Sequence, residues 1–163
     1  MSVGPRIVFT RFLTHQSPKL APWREHFRRV VGHLPNEIAR GADTAGECAV
    51  VWQLVSANNR MLARSAVIYG TFDEAVVGAR NAAAAGEELS VGFVSDDRHG
   101  LFGWFVSFGG DPLMTCSRWY LSERDRRHSI ELALSSLLVA LLSPGARLIH
   151  PSLMGGAREQ VDS

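Results

Sequence analysis

The sequence predicts an α+β fold, in which tandem units of β-hairpin and helix form an antiparallel sheet with helices packed on one face. Two stretches of the chain each have the pattern of two strands followed by a helix. Trp52 and Ser65 lie thirteen residues apart in the first, and Trp104 and Ser117 lie thirteen apart in the second. This spacing predicts an internal repeat with an offset of fifty-two positions.

Each unit is predicted to begin with a strand that has one apolar face, because apolar residues alternate along it. The alternating positions are Val50, Trp52, Leu54 and Ser56 in the first unit and Phe102, Trp104, Val106 and Phe108 in the second. Turn residues follow at 57–60 and at 109–112. Returning strands are then predicted over 62–67 and 114–119.

A helix follows each hairpin. Thr71 with Glu74 three residues later forms a capping box, and Ser122 with Asp125 forms a weaker one. Gly86 is predicted to end the first helix. The second helix carries a broad apolar stripe that includes Leu141, and it is predicted to end at 143–145, Ser-Pro-Gly.

The residues around these hairpins, Ala57 to Arg60 leading to Ser65 and then Ser117 to Ser122, resemble the YegP-like family of small bacterial proteins of unknown function. Its tandem units run as an aromatic strand, an Asn-Gly hairpin, a strand ending in Ser, then Tyr and a helix. The resemblance covers 48–85 and 101–140, and matches Tyr69 with Tyr120. It implies a sheet with helices on one face, dimerisation, and no catalytic residue.

The sequence departs from the family pattern at three places. Asn59 stands where the family usually has Gly, and the second unit has Gly-Gly-Asp-Pro in place of Asn-Gly. The first unit also has one extra residue between Ser65 and Tyr69, which puts the matching of the two tyrosines in question.

The chain divides into four predicted segments: a strand-helix extension over 1–46, the first unit over 47–87, the second over 88–150 and a flexible tail over 151–163. In the extension, 6–12 alternates as a strand and Pro22 begins a helix with a stripe of apolar residues. A weak strand signal lies at 37–40, and the small polar residues 41–47 indicate a linker. Between the units, 89–94 alternates as another strand.

Composition indicates an ordinary globular protein. Of 163 residues, 46% are hydrophobic and 20% are charged, and a net charge of +1 provides no overall field to attract nucleic acid or an anionic membrane. Arg6 and Arg11 interrupt any secretory signal, and no apolar run approaches the length of a membrane span. We therefore expect a cytoplasmic protein.

Two candidate catalytic or metal groups can be weighed. Asp96, Asp97 and His99 could hold a divalent metal, but the same residues build a polar turn, which is the favoured interpretation. Cys48 and Cys116 could each act as a nucleophile with a histidine, but strand cysteines are usually buried and inert. No phosphate-binding or dinucleotide-binding motif is present. The sequence predicts no catalytic residue, no cofactor and no metal.

Arginines cluster on the predicted first and last helices, where neighbouring tryptophans could add base stacking to phosphate contacts. A solvated helix face is the alternative explanation for each cluster. The residues that could contact an anion or a nucleic acid are Arg24, Arg28, Arg29, Arg124, Arg126 and Arg127.

The function expected from these patterns is that of a non-enzymatic cytoplasmic module acting through protein-protein contacts or as a homodimer. Each unit presents an apolar surface that one copy cannot bury, and a sheet edge can pair with another strand. The alternative is a nucleic-acid-associated protein that uses the six arginines. No membrane partner is expected.

Overall fold

The fold was obtained as a computed structural model, which describes residues 4–32, 36–37 and 48–149, with the backbone alone at 36, 37 and 149. A seven-stranded sheet and three helices form it, so the predicted α+β class is confirmed. The strands are β1 (Arg6–Phe12), β2 (Asn36–Glu37), β3 (Ala49–Val55), β4 (Met61–Ser65), β5 (Val67–Ile68), β6 (Ser90–Asp96), β7 (Leu101–Phe108), β8 (Asp111–Cys116) and β9 (Leu141–Ile149). The helices are α1 (Ala21–Val31), α2 (Phe72–Ala85) and α3 (Glu123–Val139).

The main sheet has the strand order β6-β7-β8-β4-β3-β1-β9. Strands from three of the four predicted segments therefore join one sheet. The short strands β2 and β5 form a separate parallel pair. β2 begins one residue before the predicted weak strand over 37–40 and overlaps it at Glu37. Residues 38–40, the predicted linker 41–47 and the predicted tail 151–163 lie outside the described residues.

The sheet is mixed, so the expectation of a wholly antiparallel sheet is wrong. β9 pairs in parallel with β1, from Arg6 opposite Leu141 to Phe12 opposite Ile149. The sequence placed Leu141 on the last helix, but α3 ends at Val139 and Leu141 begins a strand. Pairing with β9 satisfies the outer backbone groups of β1, which would otherwise be left at an edge.

α2 and α3 pack side by side against one face of the sheet, as predicted for the helices of the two units. Alanines of α2 (Ala75, Ala79 and Ala82) allow that helix to approach the strands closely, and Ile130, Ala133 and Leu137 of α3 complete the layer. The same core contains Ile7, Phe9, Val50, Trp52, Leu54, Trp104, Val106 and Met114.

α1 lies on the opposite face, so the expectation that all helices share one face is wrong for this helix. Trp23 of α1 donates from Nε1 to the Ser65 carbonyl at 3.2 Å, and His26 donates from Nε2 to the Cys116 carbonyl at 2.8 Å. The reason is that β3 carries apolar residues on both of its faces. The sequence prediction considered one of these faces, and the other is the face that α1 covers. A second core cluster forms there from Phe12, Leu20, Trp23, Ala49, Val51 and Ile68.

Helix ends follow the predicted capping chemistry. Thr71 accepts a hydrogen bond from the Glu74 amide, and Ser122 accepts one from the Asp125 amide, both at 3.0 Å. Within the described part of the chain, no helix has the length and apolar character needed to cross a membrane.

His26 gives a pH-dependent test of the α1 docking. Burial, with the nearby Arg64 cation, lowers the pKa of His26 to about 4. Its neutral form is therefore favoured in the folded state, and the associated stability is fully present above pH 6.5 and lost as pH falls toward 4. We expect the free energy of unfolding to fall by about 3 kcal/mol over this range on account of His26.

The matched variant is His26→Gln, which keeps an N–H donor for the Cys116 carbonyl but does not titrate. Urea unfolding at intervals between pH 4 and 7 should show a shallower dependence in the variant. Equal slopes in the two proteins would contradict the assignment.

Candidate functional site

The two tryptophans of the predicted units occupy similar surroundings. Trp52 and Trp104 are both 0% exposed, each on the sheet face that α2 and α3 cover. Each unit also has an isolated antiparallel bridge after its hairpin, between Val50 and Tyr69 in the first and between Phe102 and Tyr120 in the second. The backbone thus returns to the start of its own unit in the same way twice.

The register of the second hairpin corrects one predicted equivalence. The Trp52 amide donates to Ser65 Oγ at 3.2 Å, whereas the Trp104 amide lies 3.4 Å from Cys116 Sγ. Cys116, and not Ser117, therefore occupies the place that Ser65 has. The positions after the hairpin correspond at an offset of 51 residues, which matches Tyr69 with Tyr120.

The extra residue of the first unit consequently lies in its hairpin and not between Ser65 and Tyr69. Asn59 adopts a positive φ of 67° in that turn, while Gly109 and Gly110 do so in the second. Pro112, predicted as a turn residue, already belongs to β8. Common descent of the two units by duplication stays a prediction.

The units differ where each helix meets its tyrosine. In α3, Trp104 Nε1 donates to Ser129 Oγ at 2.9 Å, and Ser129 Oγ lies 2.7 Å from the Tyr120 hydroxyl. The corresponding residue of α2 is Gly78, and a Cβ there would overlap the Tyr69 hydroxyl. Tyr69 thus takes the space that Ser129 fills in the second unit.

Burial raises the pKa of Tyr69, and a contact with the Trp52 indole N–H offsets part of the rise. This contact does not reach ordinary hydrogen-bond geometry. The first unit therefore joins its indole to its tyrosine directly, and the second joins them through a serine.

A cavity of about 630 Å³ opens beside Ser129 and Tyr120. It lies between the start of β4, the segment that connects β8 to α3, and α3 itself. Its lining combines apolar side chains with hydroxyls, two arginines, one histidine and one carboxylate. The residues are Arg60, Met61, Leu62, Ser117, Arg118, Trp119, Tyr120, Leu121, Asp125, His128, Ser129 and Leu132.

A smaller cavity of about 390 Å³ lies at the corresponding place beside α2. Its lining residues Tyr69, Glu74, Val77, Gly78 and Asn81 stand 51 positions before Tyr120, Asp125, His128, Ser129 and Leu132. The two cavities therefore share a position in their units but differ in chemistry, because the cavity beside α2 is lined by carboxylates without a cation.

The arginines of α1 make contacts within the protein. Arg24 donates to the His15 carbonyl at 2.6 Å. Arg28 forms a 2.5 Å ion pair with Glu25, which lowers the pKa of that carboxyl and raises the pKa of Arg28. Arg29 lies 3.0 Å from the Asp96 carboxylate and over the Trp119 ring.

The arginines of α3 are on the other face of the sheet. Arg126 donates to the Val94 carbonyl at 2.9 Å, and its guanidinium lies over the rings of Phe93 and Phe102. Arg124 and Arg127 are exposed. The six predicted arginines therefore do not form one surface, since the sheet separates the α1 cluster from the α3 cluster.

The acidic group at Asp96 and the two cysteines are the other candidate sites predicted from the sequence. The carboxylate of Asp96 accepts hydrogen bonds from His99, at 3.0 Å, and from Arg29, and these bonds lower its pKa. Among the residues that the structure describes, no three metal-ligating side chains come together. Cys116 is buried, and Cys48 is partly buried.

The two edges of the main sheet are built differently. β9 carries Pro144, and its register with β1 shifts between Ile7 and Phe9, so its edge is irregular. β6 pairs with β7 without a shift and contains no proline, lysine or arginine. Its central residue Phe93 is 60% exposed. No strand among the described residues pairs with the outer side of β6.

Sequence reasoning missed the cavity residues Arg60, Arg118 and Ser129. For Ser129 the sequence did contain a signal, because this serine stands in α3 where α2 has Gly78. An offset of 52 compares Ser129 with Val77 and hides the replacement. The shorter hairpin, a feature of local turn geometry, caused that slip.

Among solved structures, the chain is similar to the solution NMR structure of YegP from E. coli, a protein of unknown function. The match has a TM-score of 0.48 and 14% sequence identity, and it covers 72% of this chain and 94% of that chain. No family model and no curated protein matches the chain.

The close approach of Gly78 to Tyr69 predicts an unusual cost for a helix-favouring substitution. Gly78→Ala should lower the free energy of unfolding by about 1–2 kcal/mol, because overpacking outweighs the gain of ~1 kcal/mol in helix propensity. Urea unfolding measures the difference. Arg80→Ala on the exposed side of the same helix is the control and should stay within ~0.5 kcal/mol of the parent protein. A Gly78→Ala protein more stable than the parent would exclude this packing.

The Cys116 thiol is expected to react slowly with thiol reagents in the folded protein. Burial raises the pKa of Cys116 to about 11, which leaves little thiolate at pH 8. In a Cys48→Ser variant, labelling of Cys116 by a disulfide reagent at pH 8 should be at least ~100-fold slower in the folded protein than in urea. Similar rates in the two states would show that this thiol is accessible and ionised.

Proposed function

We propose that the chain is a non-enzymatic cytoplasmic module that acts through protein contacts, and that its main contact is self-association through the outer edge of β6. The observation that carries the proposal is the difference between the sheet edges. β9 has the proline and the irregular register that prevent strand pairing, and β6 has neither. The backbone groups on the outer side of β6 are available for pairing with another strand.

A second copy of the chain fits this edge because β6 is self-complementary. The strand has seven residues, and antiparallel pairing centred on Phe93 places this residue against its own copy on a two-fold axis. Ser90 then lies opposite Asp96 of the second copy. The one charged residue of β6, Asp96, is already neutralised by Arg29, so no repulsion opposes the pairing.

The side chains around β6 favour a rigid edge. On one face the guanidinium of Arg126 lies 4.8 Å from the Phe93 ring centre. On the other face, Gly92 leaves space for the Phe105 ring, which covers it. Pairing of two such edges would bury the Phe93 rings and extend the sheet to fourteen strands without a rearrangement of either copy.

The absence of enzymatic activity is a part of the same proposal. It is supported by the state of the groups that could act as catalysts. The Cys116 thiol is held neutral by burial, and the Asp96 carboxylate is engaged by Arg29 and His99. Neither group has the poised pKa that a nucleophile or a general base near neutral pH requires.

The nucleic-acid alternative receives less support from the geometry. Arg24 and Arg29 bind a backbone carbonyl and a carboxylate of the chain itself, and they lie across the sheet from Arg124 and Arg127. Phosphate contacts that strengthen binding need several cations on one continuous surface.

Replacing the central residue of β6 tests the self-association. Phe93→Glu should convert a dimer into a monomer, because two carboxylates would face each other on the two-fold axis, where like charges directly opposite are destabilising. The substitution is compatible with the fold, since Phe93 is exposed. Sedimentation velocity from about 5 to 200 µM, near the usual range of weak self-association, measures the change.

Leu138→Glu is the matched control. Leu138 is 65% exposed on α3, so this variant adds the same charge at a similar exposure but away from β6. It should remain dimeric, and both variants should keep the unfolding midpoint of the parent. A parent protein that is monomeric at 200 µM, or a Phe93→Glu protein that still dimerises, would rule out this contact. Recovery of a different protein by the monomer would then identify the occupant of the edge.

A further inference from the structure

Among the described residues, one hydrogen-bond donor of the cavity beside α3 has no acceptor. Trp104 Nε1, Ser129 Oγ and Tyr120 Oη form a chain of three donor groups joined by two hydrogen bonds. The indole can only donate, so it uses a lone pair of Ser129. One hydroxyl hydrogen is therefore left over, whichever hydroxyl donates to the other. Both hydroxyl groups belong to residues that line the cavity.

Two arginines line the cavity together with this donor. Arg118 places its guanidinium 5.3 Å from the centre of the Tyr120 ring, and Arg60 lines the same cavity from the turn before β4. Asp125 is the one carboxylate of the lining, so the two arginines leave a net positive charge even with His128 neutral. Among the described residues, neither guanidinium forms an ion pair.

Apolar side chains make up the rest of the wall. Leu62, Leu121 and Leu132 lie in the lining, whereas the Trp119 ring lies under Arg29 and beside Gly103 on the other face of the sheet. The volume of about 630 Å³ falls in the range of cavities that enclose small molecules. The combination of an apolar wall and converging donors is that of a site for an amphipathic anion.

We propose that this cavity binds a small organic anion, in which a carboxylate or phosphate group contacts Arg60, Arg118 and the free hydroxyl donor while an apolar or aromatic body packs against Leu62, Leu121 and Leu132. The site is separate from the β6 edge. The two proposals therefore stand or fall independently, and the monomeric Phe93→Glu protein should bind the same anions.

The cavity beside α2 provides an internal comparison. It has Gly78 in place of Ser129 and Val77 in place of His128, and its charged side chains are the carboxylates Asp73 and Glu74. The Tyr69 hydroxyl is turned against the helix there. An anion should therefore be selected by the α3 cavity and repelled by the α2 cavity, although the backbone around the two is arranged alike.

The test uses phenyl phosphate and benzoate as anionic probes, benzyl alcohol as their neutral counterpart, and inorganic phosphate as the charge without the apolar body. Titrations followed by ¹H–¹⁵N correlation spectra should show a saturable shift of the indole signal of Trp104, which donates to Ser129. Both aromatic anions should bind at least about tenfold more tightly than benzyl alcohol and than inorganic phosphate, a difference of ~1.4 kcal/mol.

Arg60→Gln and Arg118→Gln keep hydrogen-bonding capacity but remove a charge, and each should weaken phenyl phosphate binding about five- to tenfold. Arg124→Gln is the matched control, because Arg124 is an exposed arginine of α3 that does not line the cavity. It should bind as the parent does.

Several results would overturn the proposal. These are equal binding of benzyl alcohol, equal binding by the Arg118→Gln and Arg124→Gln proteins, and the absence of a saturable indole shift. The last result applies at aromatic anion concentrations up to about 10 mM, because binding weaker than this would be weaker than that of almost all specific ligands. Inorganic phosphate binding as tightly as phenyl phosphate would also overturn it, since the apolar wall would then have no role.

Discussion

The architecture depends on the burial of two indoles between the sheet and the helix pair. Trp52 and Trp104 are completely enclosed, and a buried indole requires both apolar contacts and a partner for its N–H group. The apolar requirement is met by the alanines of α2 and the larger side chains of α3. The polar requirement is met by a hydrogen bond in the second unit, where Trp104 donates to Ser129 and Tyr120 lies beyond it, whereas in the first unit the Trp52 N–H contacts Tyr69 without reaching hydrogen-bond geometry.

This difference has consequences beyond the core. Where the tyrosine reaches the indole directly, the helix must carry a glycine and the neighbouring space is small. Where a serine takes the place of the glycine, its hydroxyl lies between the indole and the tyrosine, and the neighbouring cavity is larger. The substitution of one side chain, at Gly78 or Ser129, thus accompanies a change in what the surface can bind.

Much of the fold could be predicted from local patterns. The strands that alternate, and the helices that begin at Thr71 and Ser122, appear where periodicity and capping place them. β9 could not be predicted in this way, because Pro144 and Gly145 interrupt it and its partner β1 is distant in sequence. Parallel pairing of distant segments leaves no local signal.

The candidate site was less accessible to sequence reasoning than the fold. A one-residue difference between the hairpins made Ser117 resemble Ser65, although Cys116 lies opposite Trp104. A cavity also requires side chains from β4, from the β8–α3 connection and from α3, which only the folded sheet brings together. The position of α1 was missed for a related reason, since β3 is apolar on both faces.

The pairing of β1 with β9 also affects how the molecule is made. Among the strands that the structure describes, β1 is synthesised before its neighbour β9, which begins only at Leu141. Until β9 is synthesised, the backbone N–H and C=O groups along one edge of β1 have no strand to pair with. Chaperone protection during translation is therefore most relevant to this N-terminal strand.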